Sequence, residues 1–171
     1  RPSASNARSR PCASDTHPKR DPFQHTLGLP KGLPMTPEMT FDDFEAEWEA
    51  ALDAEDRYRA LIRFGETLPP MDASLKTATK VPGCSASVWV YPVTQAGTLH
   101  FQADSDAAIT KGIVAVVVAL ANAKPPEAVL ATDFEGAIAR LGLRSQLSSN
   151  RTQGLPNMIA RVREAATRLA A

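Results

Sequence analysis

The chain has 171 residues, 19 of them basic and 19 acidic, so its net charge is zero and no global electrostatic case exists for binding nucleic acid. It is long enough for one domain with a sizeable core, and its longest apolar run, Ile113 to Ala121, is far too short to span a bilayer. Two cysteines, Cys12 and Cys84, do not make a disulfide framework, which favours a reducing compartment.

The balanced total hides an asymmetry. Residues 1–37 hold six bases and two acids, are rich in Arg, Ser, Pro and Gly, and lack apolar periodicity. Such a segment cannot bury enough surface to fold. The expected organisation is a disordered basic tail over 1–37, carrying Cys12 and no part of the chemistry, and one domain over 38–171. A cytoplasmic setting is expected. A basic, Ser-rich, acid-poor tail is also how an organelle transit peptide reads, which would place the protein in a plastid or mitochondrion.

In the domain, Thr40 is a good N-cap, and Phe41, Phe44, Trp48 and Leu52 recur at helical spacing as an apolar stripe. Asp53 can cap a second helix with Tyr58, Leu61 and Ile62 facing inward, stopped by Pro69-Pro70. Residues 71–76 read as loop. Three strands follow: Thr77 to Val81, broken at Pro82; Val88 to Val93; and Thr98 to Asp104, with His100 on its polar face. Short connections make them an antiparallel meander. A helix from Ala107 to about Ala123, begun by Ser105 or Asp106, is apolar nearly all round and should be the central buried helix. A short helix then reaches Leu130. Asp133 caps another over Phe134 to Leu141, closed by Gly142. Residues 143–154 read as a polar loop, and the last helix runs from about Leu155 to Leu169. The expected fold class is α+β, a three-stranded antiparallel sheet packed against helices.

There is no CxxC, no His pair at i,i+4 and no Gly-rich phosphate loop, so metal ligation or nucleotide chemistry by this chain is not expected. What remains is Cys84, the one cysteine of the domain. Pro82 and Gly83 set a turn directly before it and a strand follows, so it sits on a loop at the mouth of a strand. Only a thiolate attacks, and no activating base stands beside Cys84 in sequence; a catalytic Cys–His pair would need His100. A thiol that relies on a partner for activation suits an acceptor. The residues also leave open an independent thiol-dependent redox enzyme, a cluster scaffold and a buried, inert cysteine.

Three segments narrow this. They are Val81-Pro82-Gly83-Cys84 with Ser87-Val88-Trp89-Val90; Asp104-Ser105-Asp106-Ala107-Ala108-Ile109 with Lys111-Gly112-Ile113; and Leu147-Ser148 with Arg151-Thr152-Gln153-Gly154-Leu155 and Met158. In this order, from about Phe41 to Leu169, the chain resembles the SufE family of sulfur-acceptor proteins, which serve iron–sulfur cluster assembly. It departs from the family at Ser85 and Ser87, where glutamines are frequent, at Gln146, where His is frequent, and at Ser149, where Pro is common.

The resemblance implies a fold related to the IscU scaffold and a role as carrier rather than enzyme. Cys84 would take persulfide sulfur from a PLP-dependent, SufS-like cysteine desulfurase, stimulate it, and pass the sulfur to a SufBCD-like scaffold complex. A CsdE-like partner of a desulfurase serving another acceptor is the neighbouring alternative. Asp104, Asp106, Lys111 and Arg151 would position the loop or bind the desulfurase. No cofactor, metal, nucleic acid or membrane is implied.

Overall fold

A computed structural model describes residues 39–170; the tail over 1–37, with Cys12, lies outside the described residues. The described chain begins with α1 (Phe41–Ala50), α2 (Ala54–Glu66) and the one-turn α3 (Ala73–Lys76). The hairpin β1 (Val88–Gln95) and β2 (Thr98–Ser105) comes next, followed by α4 (Ala108–Ala121). Then come α5 (Pro126–Leu130), α6 (Phe134–Leu141), α7 (Leu143–Gln146), α8 (Ser149–Thr152) and α9 (Leu155–Ala170).

Helix starts follow local chemistry. Thr40 and Asp43 form a reciprocal capping box at α1. Asp53 accepts from the Asp56 amide at α2, and Asp133 from the Gly136 amide at α6, both at 2.9 Å. Gly142, at φ 63°, ends α6 in the left-handed conformation that glycine adopts without strain.

Helix α4 has no polar face along its middle, and Ile113 to Val118 are all buried. Each buried Ile or Val there contributes roughly 1.5–3 kcal/mol by leaving water, so α4 must be covered on every side. α2, β2, α9 and the edge of α1 cover it. The α2 crossing is the tightest. A Cβ on Gly65 would come within 2.7 Å of the Gly112 amide nitrogen, and one on Gly112 would overlap the Leu61 carbonyl oxygen. The two backbones therefore meet directly. The Trp48 indole N–H donates to the Leu141 carbonyl at 2.7 Å, tying α1 to α6.

Several expectations are corrected. The sheet has two antiparallel strands, not three. Residues 77–81 contribute one bridge, Lys80 to Trp89, because Thr77 and Ala78 still belong to the turn that closes α3 and Pro82 ends the segment. Residues 71–76 are not all loop, since Asp72 caps α3. Residues 143–154 hold two one-turn helices. Leu52 lies past the end of α1 and is 93% exposed, so it is outside the apolar stripe. His100 stands on the outer face of the hairpin yet is buried, beside Val93, its partner across the hairpin. The central helix starts at Ala108, after an Ala107 cap with no side-chain hydrogen bond, so neither Ser105 nor Asp106 caps it. Among the described residues, no helix is long and apolar enough to cross a membrane.

The backbone contact at Gly112 gives a direct expectation. Gly112→Ala should lower unfolding stability by about 1–3 kcal/mol, the usual cost of overpacking, read from urea unfolding midpoints. A variant as stable as the parent would mean that α2 and α4 separate without cost.

Candidate functional site

Cys84 lies between two anchored feet. On the upstream side the Val81 amide donates to the Val88 carbonyl at 2.8 Å. On the downstream side the Ser87 amide donates to Asp106 Oδ1 at 2.9 Å, the Asp106 amide donates to the Ser87 carbonyl at 3.2 Å, and the Ser105 hydroxyl donates to the same carbonyl at 2.8 Å. The loop is thus closed on itself and fixed to the junction of β2 and α4. Gly83, at φ 77°, supplies the left-handed residue that turns the chain before the cysteine.

The Cys84 side chain points back into the protein and packs at the edge of the core. Gly154, just before α9, forms its seat: a Cβ there would overlap Sγ and reach within 3.0 Å of the Cys84 Cα. Burial pushes the thiol pKa up. The start of α9 favours negative charge, the opposing influence. His100, the residue a Cys–His pair would need, is elsewhere. Val88 pairs with Ser105, and His100 lies five residues back along β2 from Ser105, roughly 17 Å at the usual rise per strand residue. Burial also lowers the imidazole pKa, and its Nδ1 has no hydrogen-bond partner.

The four accessory residues fall into three places. Asp106 is tied to the loop through Ser87. Asp104 and Lys111 belong to a charged cluster at the same end of the hairpin, where Asp104 pairs with Lys76 at 2.5 Å and with Lys111 at 3.0 Å. Lys76 also lies over the Trp89 ring, 4.8 Å from its centroid. Burial works against ionising Asp104, but the hydrogen bonds from Lys76, Lys111 and the Ser105 amide, with the Lys111 charge, outweigh it and hold its pKa below the usual carboxylate range. Arg151, on α8, lies 5.8 Å from the Tyr58 ring centroid and is exposed. Tyr58 in turn donates to the Gln146 carbonyl at 2.9 Å.

The model of the SufE family, an Fe-S metabolism associated domain, matches residues 42–166. The chain belongs to the SufE family. An uncharacterized SufE-like protein of Rhizobium etli is 39% identical over 119 residues, covering 67% of this chain and 80% of that one. The sulfur acceptor protein CsdE of Escherichia coli is 36% identical over 132 residues, covering 75% of this chain and 86% of that one. The fold is shared with a hypothetical protein from Thermus thermophilus whose solution structure matches with a TM-score of 0.60 at 19% identity, covering 76% of this chain and 92% of that one.

In this SufE domain the residues that shape the loop include several that sequence reasoning left without a role. Gly154 stands inside the segment Arg151-Thr152-Gln153-Gly154-Leu155, but nothing in one sequence says that it faces Cys84. Tyr58 read as core. Asn150 and Asn157 gave no signal, because their partners lie 65 and 75 residues away in the chain.

Two outcomes follow for the SufE site. Asp104 has a depressed folded pKa, so its stabilisation is complete above its unfolded value of 3.8 and is lost as pH falls through the folded value. Asp104→Asn should therefore be less stable than the parent by about 2 kcal/mol at pH 7. Urea unfolding across the pH range should show the gap closing below pH 3.8; a gap that stays constant with pH would refute the assignment. For Cys84, the pH profile of alkylation in the free protein should give an apparent pKa above the ordinary thiol range. A value below it would mean that the dipole of α9 overrides burial.

Proposed function

We propose that this SufE-family chain is a sulfur acceptor whose working group is Cys84. The observation that carries the reading is a free thiol on a glycine-turned loop, half-buried against Gly154 and pushed toward its neutral form. Such a thiol is a poor nucleophile by itself and becomes useful when a partner draws it out. The likeness to a sulfur acceptor protein, CsdE, supports the same reading.

In this reading a PLP-dependent, SufS-like cysteine desulfurase presents a cysteine persulfide. The Cys84 thiolate attacks its outer sulfur, the S–S bond within the desulfurase breaks, and the desulfurase cysteine leaves as a thiolate. The outer sulfur and its proton end on Cys84 as a new persulfide. Electrons balance without an external oxidant. Removing the persulfide frees the desulfurase for another turnover, so the chain stimulates the enzyme while remaining a carrier. A half-buried seat shelters the persulfide from oxidation until it passes to a SufBCD-like scaffold in the cytoplasm. The likeness to CsdE favours a second reading of the last step alone, with delivery to a different acceptor.

The accessory residues take supporting roles. Asp106 holds the downstream foot of the loop through Ser87, and the Asp104–Lys111 pair fixes the β2–α4 junction beneath it. Arg151 stands exposed beside Asn150, whose carbonyl accepts from the Ser85 hydroxyl at 2.7 Å, and this exposure supports a role in contacting the desulfurase. An independent peroxidase-like thiol fits less well, because burial disfavours the thiolate such an enzyme needs.

Intact-mass spectrometry after incubation with a cysteine desulfurase and cysteine tests the reading. A gain of one sulfur, about 32 Da, that maps to Cys84 and disappears in Cys84→Ser is expected. Equal sulfur on the folded Cys84→Ser protein would remove Cys84 from the mechanism.

A further inference from the structure

The feet of the cysteine loop are fixed on the sheet side, but its tip is held differently. The Asn157 side-chain amide, near the start of α9, donates to the Pro82 carbonyl at 2.9 Å. Its nitrogen fills the space over Gly83, where a Cβ would overlap it. The Ser85 hydroxyl donates to the Asn150 carbonyl at 2.7 Å. One bond falls two residues before Cys84 and the other one residue after it. Pro82, Gly83, Ser85, Asn150 and Asn157 are all exposed, so water can replace either bond, whereas the thiol between them sits in its seat at Gly154.

We propose that Asn157 is a positioning residue that latches the Cys84 loop shut, with Ser85 as its counterpart on the other side of the thiol. Opening the latch leaves the feet at Val81 and Ser87 in place, so the tip over 82–86 swings out as a flap and carries Cys84 away from Gly154. The desulfurase meets a loop whose opening is set in advance by two solvent-exposed hydrogen bonds. The functional meaning of the latch rests on the sulfur-acceptor reading, but the latch itself is a property of the free protein. Each bond has the net worth of one ordinary hydrogen bond, which sets the open population to rise roughly fivefold when one is removed.

The test is alkylation of Cys84 by iodoacetamide in the full chain, in a Cys12→Ser background so that one thiol reports, at several low urea concentrations. Asn157→Ala and Asn157→Asp should both label roughly fivefold faster than the parent, since neither can donate to the Pro82 carbonyl at neutral pH. Ser85→Ala should act alike. The gain should be independent of urea well below the unfolding midpoint, as local opening requires. Unchanged rates in both Asn157 variants would overturn the latch. So would rates that rise steeply with urea in step with lost global stability, because the thiol would then be exposed by unfolding. The same variants are then given a desulfurase and cysteine, and faster persulfide formation at limiting concentration is expected. Faster alkylation with no sulfur accepted by any form would uphold the latch and sink the acceptor reading.

Discussion

The architecture depends on a contact between two backbones. Helix α4 is apolar around its whole circumference through Ile113 to Val118, so it has to be enclosed, and the enclosure closes only if α2 can approach without side chains intervening. Gly65 and Gly112 make that approach possible. The closeness fixes the line of α4, and α4 in turn fixes where β2 ends. The Lys111-Gly112 step joins two needs, since Gly112 faces α2 while Lys111, one residue earlier, turns back to pair with Asp104 at the end of the hairpin.

The site is built where these constraints converge. The end of β2, the start of α4 and the start of α9 come together around one loop. β2 and the approach to α4 hold it by hydrogen bonds to Ser87, and the start of α9 by the bare backbone of Gly154 and the Asn157 amide. The paired charges of Asp104, Lys76 and Lys111 sit next to the loop without touching the thiol. Cys84 therefore keeps an apolar setting at the edge of the core, while the neighbouring charges pair among themselves. Burial in that setting disfavours the thiolate.

Local chemistry made much of this readable in advance. The caps at Thr40, Asp53 and Asp133, the stop at Gly142 and the all-round apolarity of α4 are encoded within a few residues of where they act, and so are the turn and strand that flank Cys84. The failures share another origin. Thr77 to Val81 has strand-like composition, but the preceding helical turn and the following proline leave it room for a single bridge. Asp106 stands where helix caps stand, yet its carboxylate is spent on Ser87, a residue 19 positions earlier. Alternation put His100 on the outer face of the hairpin correctly and could not reveal that this end of the face is covered. Gly154 and Asn157 act through approach and hydrogen bonding across the fold, which no pattern in a single sequence displays.

The hairpin is narrow, and its outer edges are largely occupied. On β1 the outward set that includes Val88 and Val90 is taken by Thr79 and Val81, and Pro92, next in that set, has no N–H to offer. On β2 the Leu99 amide is taken by the Lys124 carbonyl, the Phe101 amide by the Asn122 side chain and the Ser105 amide by Asp104. Two-stranded ribbons are ordinarily templates for adding a further strand, from another chain or another copy. Here that route is largely blocked by the protein's own irregular segments. Recognition at this end of the molecule must then run through side chains and the loop rather than through main-chain strand addition. A further strand could join only after those segments had given up their hydrogen bonds to the hairpin.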